Sequence, residues 1–342
     1  MAHGTPESTG DIERFYTHIR KGRKPSQTEL DELTSRYNAI GGLSPLKQLT
    51  WDQVEGVQRA LDKIRPATYR TFLATKHSYP TFADAVSAIS RDDLDGIVGL
   101  VLAPHYSMLS VEEYYTEAKK ALEEEGVSLP FLMIPSWHMN GGFLEALAQR
   151  LRKAYSMALA KGSDSSPIVI FTAHSLPVDL LSDDDPYPSQ VNETASWLAN
   201  ELAIENWYLA WQSAGKAGTF NWLKPTLEEV LEHIADQRVS SVVICPIGFV
   251  ADHLEILYDI DIVATNLAER SGIHLLRTDS LNADPTFTYA LATMVDDIVS
   301  QSFKGIGRQR LLEYPEPSQS SSLSPPINTP WWSGKVPKER EQ

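Results

Sequence analysis

The stretch Val242 to Ile262 reads V-V-I-C-P-I-G-F-V-A-D-H-L-E-I-L-Y-D-I-D-I, and the rest of the chain is organised around it. Val242 to Cys245 is a short, mostly β-branched run with the composition of a strand. It stops at Pro246 and Gly248, after which the pattern turns helical and carries acids at Asp252, Glu255 and Asp259. Offsets of three and four place those carboxylates on one helix face. Leu254, Ile256, Leu257 and Ile260 supply burial around the other sides. A row of acids entering an enclosed setting is costly unless something cationic meets it. The plain alternative is a solvated face whose acidic first turn suits the helix dipole.

A second stretch, Ile168 to Pro177, reads I-V-I-F-T-A-H-S-L-P. Its apolar run forms a buried strand, and His174 sits just past the carboxyl end, the edge at which open parallel α/β sheets bind ligands. A histidine there is either a hydrogen-bonded structural residue or a reacting group. Taken together, F-T-A-H-S-L-P and P-I-G-F-V-A-D-H-L-E-I-L-Y-D-I-D resemble the two signature segments of the ferrochelatases, which insert ferrous iron into a porphyrin.

That resemblance implies an α/β protein of two Rossmann-like halves, each with a parallel four-stranded sheet. It places the porphyrin in the cleft between them and a C-terminal helix across the first half. Candidate strands fall at Tyr69 to Ala74, Ile97 to Leu102, Phe131 to Pro135, Ile168 to Thr172, Trp207 to Trp211, Val242 to Cys245 and His274 to Arg277. Helical stretches separate them, as a parallel sheet requires. An eighth strand would precede M-A-H-G-T-P, where family members have an apolar lead-in, so the first strand is expected to be truncated by a late start site or a trimmed sequence.

The expected domains are 1–155, with a C-terminal helix at 284–304 packing back on it, and 156–283. From about Glu313 to the end, 313–342, the chain is rich in Pro and Ser and reads as a disordered tail with an aromatic pair, Trp331 and Trp332. Possible capping boxes pair Thr50 with Gln53, Ser110 with Glu113 and Thr226 with Glu229. Asp284 followed by Pro285 marks a further helix start.

A length of 342 residues suits two compact domains, and 42% hydrophobic with 22% charged residues is ordinary for a globular protein. No run approaches the roughly 18 apolar residues of a membrane span. Thirty basic against 45 acidic side chains give a formal charge of −15, which argues against nucleic acid as a partner. The one cysteine, Cys245, excludes an intrachain disulfide and a cysteine-only metal site, and no iron–sulfur cluster is expected. A cytoplasmic monomer without an integral membrane segment is the expectation.

Metal insertion must remove two pyrrole protons while ferrous iron sheds its waters. A neutral imidazole, of ordinary pKa about 6.5, is a suitable acceptor. The resemblance assigns His174 to proton abstraction with a transient metal contact, and Glu255 to the acid facing it across the porphyrin. Asp252 and Asp259 would extend the metal-guiding row, but Val263 stands where family members often have another acid. His3 replaces a tyrosine of coproporphyrin-type relatives immediately before G-T-P. Histidine can also ligate iron; a frayed terminus is the alternative. His77 resembles an outer-site histidine of some members.

T-H-I-R-K-G-R-K-P and R-Y-N-A-I-G-G-L-S-P resemble the bacterial enzymes of the coproporphyrin-dependent haem route. Arg20, Arg36 and Ser44, with Tyr16 nearby, match positions that face the macrocycle or its propionates, which guanidiniums recognise well. The reading is therefore insertion of ferrous iron into coproporphyrin III. The iron is a substrate, no tightly bound cofactor is expected, and a downstream haem-pathway enzyme is the expected partner. A protoporphyrin IX ferrochelatase, a sirohydrochlorin-type cobalt or iron chelatase, and a non-catalytic tetrapyrrole carrier are the alternatives.

Overall fold

The computed structural model describes residues 1–160, 166–215, 220–237 and 239–302. The Pro/Ser-rich tail at 313–342, its Trp331–Trp332 pair and the last two residues of the helix expected at 284–304 lie outside the described residues. The elements run α1 (Ile12–Ile19), α2 (Gln27–Ala39), α3 (Leu46–Ile64), α4 (Phe82–Ile89), β1 (Ile97–Leu100), α5 (Val111–Glu124), β2 (Phe131–Ile134) and α6 (Gly141–Ala160). There follow β3 (Ile168–His174), α7 (Tyr187–Glu201), β4 (Trp207–Gln212), α8 (Leu227–Asp236), β5 (Ser241–Pro246), a π-helix (Ile256–Ala264), α9 (Thr265–Arg270), β6 (His274–Arg277) and α10 (Pro285–Ser302).

Two compact units emerge. The first holds Met1–Phe143, Val250–Tyr258 and the described residues from Leu281; the second holds Leu144–Phe249 and Asp259–Ser280. Where the sequence suggests breaks after residue 155 and residue 283, the contacts divide at 143/144 and return Val250–Tyr258 to the first unit. Polar bonds account for both differences. Arg150 and Lys153 of α6 bond to the Ser280 carbonyl and the Asp279 carboxylate in the second unit. In the first unit the buried Gln53 side chain donates to the carbonyls of Val250 (3.2 Å) and Asn282 (3.0 Å).

The second unit carries a parallel sheet in the order β4-β3-β5-β6. Its central strands read as continuous apolar runs because helices cover both faces of such sheets. Val169, Ile170, Phe171, Val242, Val243 and Ile244 are all 0% exposed. Each such side chain contributes roughly 1.5–3 kcal/mol by leaving water. The order reverses direction between β3 and β5, which makes the carboxyl ends of those two strands the topological switch point.

In the first unit β1 and β2 form a two-stranded parallel ladder. Beneath α4 and α5 lies an apolar cluster that includes Phe82, Val86, Val101, Tyr114, Leu122 and Met133. Tyr69 to Ala74, expected as a strand, forms none: its prospective neighbour is the three-residue segment Met1–His3. That segment makes one parallel bridge, Ala2 to Thr75, while the Met1 carbonyl accepts from Leu102 N–H on its other side. Helix α10 packs on α3, where Gly56 admits Thr288: a Cβ on Gly56 would stand 2.7 Å from the Thr288 Cγ2.

Caps explain several helix starts. The Thr226–Glu229 box is present, and Asp284 accepts from the N–H groups of Thr286 and Phe287. Thr50 and Gln53 instead lie inside α3, whose first turn is met by the Ser44 hydroxyl accepting from Leu46 N–H. Ser110 flanks α5 without a side-chain capping bond. Boxes at Ser26–Glu29 and Thr81–Asp84 open α2 and α4. Among the described residues no helix is long and apolar enough to cross a membrane.

Candidate functional site

In the second unit, His174 ends β3 at the switch point and is half-buried. Its Nδ1 meets the Ser175 carbonyl, a short contact that requires Nδ1 to carry the proton and leaves the lone pair on Nε2. The neighbouring backbone is pinned. Tyr187 Oη donates to the His174 carbonyl at 2.9 Å, and Ser175 N–H donates to Gln212 O at 2.8 Å.

The turn after β5 then folds over the end of β3. Ile247 and Gly248 N–H both donate to the Thr172 carbonyl, at 2.9 and 3.1 Å. The approach is so close that a Cβ on Gly248 would stand 2.6 Å from Ala173 Cβ and 2.9 Å from its Cα. Phe249, the next residue, brings its ring centroid to 6.4 Å from the His174 imidazole. Gly248→Ala is therefore expected to cost about 1–3 kcal/mol of stability through overpacking, read from denaturant unfolding. The clash falls on the residue before His174, so the same substitution is expected to shift that imidazole as well.

The acidic row differs from a plain helix face. Asp252 and His253 precede the helix, which begins at Leu254 and becomes π-helical from Ile256. Asp252 is bound on both sides by Asn282: its N–H donates to Asn282 Oδ1 and its Oδ2 accepts from Asn282 Nδ2, each at 2.9 Å. Its carboxylate thus fixes a loop. Glu255, in the first turn, has the His253 Nε2 at 3.4 Å from its Oε2. Asp259 accepts a short hydrogen bond from the Ser213 hydroxyl, and Ser213 adopts φ +60° to present it. Ile256 and Ile260, both 0% exposed, and the buried Ala264 anchor the helix, and the Arg277 fork grips Asp261 at 2.6 and 3.0 Å. A π-helix keeps Glu255 and Asp259 one turn apart while widening the turn, a feature common at functional sites.

In the first unit His3 lies beside the Thr75–His77 segment, its carbonyl accepting from His77 N–H at 3.0 Å. Although its surface is exposed, desolvation lowers the His3 pKa, and the Glu255 carboxylate opposes that shift. The same carboxylate acts on buried Tyr37, whose hydroxyl burial pushes up to about 12. Nothing in R-Y-N-A-I-G-G singles out Tyr37; its spacing on α2 reads only as an inward-facing aromatic.

Arg20 follows α1 with its guanidinium 5.4 Å from the Tyr16 ring centroid, and Nη1 donates to Glu29 Oε1 at 2.6 Å. Glu29 has one oxygen on that guanidinium and the other on the N–H and hydroxyl of Ser26. Those Ser26 bonds, and then Arg20, hold its carboxyl down to about 2. Arg36, exposed on α2, stacks its guanidinium 5.3 Å from the Tyr258 ring. Ser44 is buried at the start of α3, where its hydroxyl serves the helix terminus. Cys245 is buried in β5, and burial raises its thiol to about 12, which leaves it an inert packing residue.

The chain as a whole resembles named proteins. The ferrochelatase family profile matches residues 1–298. A coproporphyrin III ferrochelatase of Geobacillus kaustophilus (strain HTA426) is 38% identical over 297 residues, 86% of this chain and 93% of that protein. Coproporphyrin III ferrochelatase 1 of Bacillus anthracis is 37% identical over 86% of this chain and 94% of its own length. Among solved structures, SirB from Bacillus subtilis with Fe3+ superposes with a TM-score of 0.51 at 11% identity, covering 73% of this chain and 91% of that one, a likeness of fold. The chain belongs to the ferrochelatase family.

Proposed function

We propose that the protein inserts ferrous iron into coproporphyrin III, releasing two protons and forming iron coproporphyrin. The observation that carries the substrate choice is the 38% identity to a coproporphyrin III ferrochelatase along 93% of that protein. His174 is the proton acceptor in this reading. Its Nδ1–H is committed to the Ser175 carbonyl, so Nε2 is the basic nitrogen that takes a pyrrole proton. The Glu255 carboxylate accepts the second proton or receives the ferrous ion as it sheds water. Asp259, oriented by Ser213, continues the path, whereas Asp252 contributes through the loop it holds with Asn282. Iron is a substrate throughout. The product passes to a downstream haem-pathway protein, since free iron porphyrin is poorly soluble and reactive.

Arg20 and Arg36 supply the propionate contacts. One charged hydrogen bond is worth roughly 1.5–3 kcal/mol, which corresponds to about 10–100-fold in affinity. Arg20→Ala is expected to weaken binding of metal-free coproporphyrin III by about that factor, followed by porphyrin fluorescence, and to flatten its salt dependence. Unchanged binding in both Arg20→Ala and Arg36→Ala would remove these residues from substrate recognition.

A further inference from the structure

Two buried polar side chains of the second unit stand beside His174 and have no role so far. Gln212 ends β4 as the register partner of His174, and Thr172 lies two residues before His174 on β3. Successive side chains alternate between the faces of a sheet, so Thr172, His174 and Gln212 share one face. The other face carries Trp211, whose ring centroid lies 5.6 Å from that of Tyr187, and Ala173, over which Gly248 closes.

Gln212 is 2% exposed and Thr172 0%, yet among the described residues neither polar atom of the Gln212 amide head nor the Thr172 hydroxyl has a hydrogen-bond partner. The backbone around them is already committed. Ser175 N–H donates to the Gln212 carbonyl at 2.8 Å, Trp211 N–H to the Pro225 carbonyl at 2.9 Å, and the Ser175 hydroxyl to the Leu223 carbonyl at 3.2 Å. Burying an amide and a hydroxyl unpaired is costly, and an internal water removes that cost where about three polar groups face one small space. Neighbouring strands are about 4.8 Å apart and alternate residues of one strand about 6.6 Å. Side chains on one face bridge such spans through a single water with hydrogen bonds of about 2.8 Å.

The position also matters for the proton. An imidazole that has collected a pyrrole proton must lose it before the next turnover, and its Nδ1 is held on the Ser175 carbonyl. The residue after Gln212 is Ser213, which orients Asp259.

We propose that Gln212 is a positioning residue for proton removal: with Thr172 it holds a water beside His174. The water accepts from the Gln212 amide N–H and donates to the Thr172 hydroxyl, which leaves it a second lone pair for the His174 Nε2–H. In each turnover a pyrrole N–H bond breaks as Nε2–H forms, Nε2–H then breaks as the water takes the proton, and a buffer base in solution receives it. The inference rests on His174 being the proton acceptor.

The water is tested without turnover. By NMR of the full chain with labelled glutamine, the Gln212 side-chain amide protons, identified by their loss in Gln212→Met, should show cross-relaxation to a long-lived water. Thr172→Val should abolish that signal. Its absence from the wild type, or its persistence in Thr172→Val, would overturn the proposal. Turnover is scored separately. In Gln212→Met, kcat for ferrous insertion should fall about tenfold, part of the roughly 10²–10⁴-fold contribution of the base it serves, with the KM for coproporphyrin III and the far-ultraviolet circular dichroism unchanged. The loss should shrink as HEPES is raised at constant pH, because the buffer then takes the proton directly. Thr172→Val should behave alike, Thr172→Ser should retain wild-type turnover, and the Gln212→Met/Thr172→Val protein should lose no more than either single variant, since both hold one water. Loss that ignores buffer concentration, or that multiplies in the double variant, would overturn the proposal in favour of packing alone. If the wild-type protein metallates no porphyrin, the functional reading fails while the NMR signal still decides whether the water is held.

Discussion

His174→Ala is expected to lower ferrous insertion by about 10²–10⁴-fold, the usual contribution of a positioned general base, while leaving metal-free porphyrin bound. The split follows from geometry. The imidazole is held through Nδ1 on the Ser175 carbonyl, and its backbone by Tyr187, so alanine removes the basic nitrogen without unpinning the strand end. A porphyrin can still be held by contacts elsewhere, but its pyrrole protons have lost their acceptor. Added imidazole should restore part of the activity by occupying the space vacated beside Phe249. Stopped-flow metallation with fluorescence titration separates the two effects. Normal metallation by the variant would end the assignment of His174 as proton acceptor.

Glu255→Gln preserves shape and removes charge, so its effect isolates the carboxylate. Turnover is expected to fall about 10²-fold. A second readout comes from His3. The Glu255 carboxylate raises the His3 pKa against the lowering due to desolvation, so its loss must move that pKa further down. NMR titration of the imidazole would show the midpoint shifting to lower pH. A structural role for Glu255 would instead appear as lost stability with the His3 titration unmoved.

Much of the second unit was legible because its strands are local and strongly apolar. Val242 to Cys245 was visible as a strand, and the ladder extends it by one residue at each end, Ser241–Pro246. His174 was legible too, since a histidine closing a buried run falls at the ligand-binding edge of a parallel sheet. The first unit was harder. Tyr69 to Ala74 has strand composition, yet a strand also needs a partner, and Met1–His3 gives only one bridge. Propensity cannot report that.

The acid row shows a different limit. Ile256, Ile260 and Ala264 repeat every fourth residue, a spacing that both α- and π-helices can bury, so periodicity alone could not separate them. The residue pattern alone puts Asp252 and Glu255 on one helix face. What distinguishes Asp252 is Asn282, 30 residues away, which takes up its backbone N–H and one carboxylate oxygen. Ser44 likewise has a hydroxyl that accepts from Leu46 N–H at the start of α3, a local bond that the resemblance does not reveal. The meeting of His18 with His77 depends on tertiary packing across 59 residues. The two motifs carried the family; partners distant in sequence decide what individual side chains can do.

The most direct measurement is anaerobic ferrous insertion into coproporphyrin III and protoporphyrin IX side by side, followed by loss of the free-base absorption bands. Faster turnover of coproporphyrin III, with the advantage reduced in Arg20→Ala, is the predicted result. Preference for protoporphyrin IX would contradict the substrate assignment, and metallation of neither would contradict the proposed reaction itself.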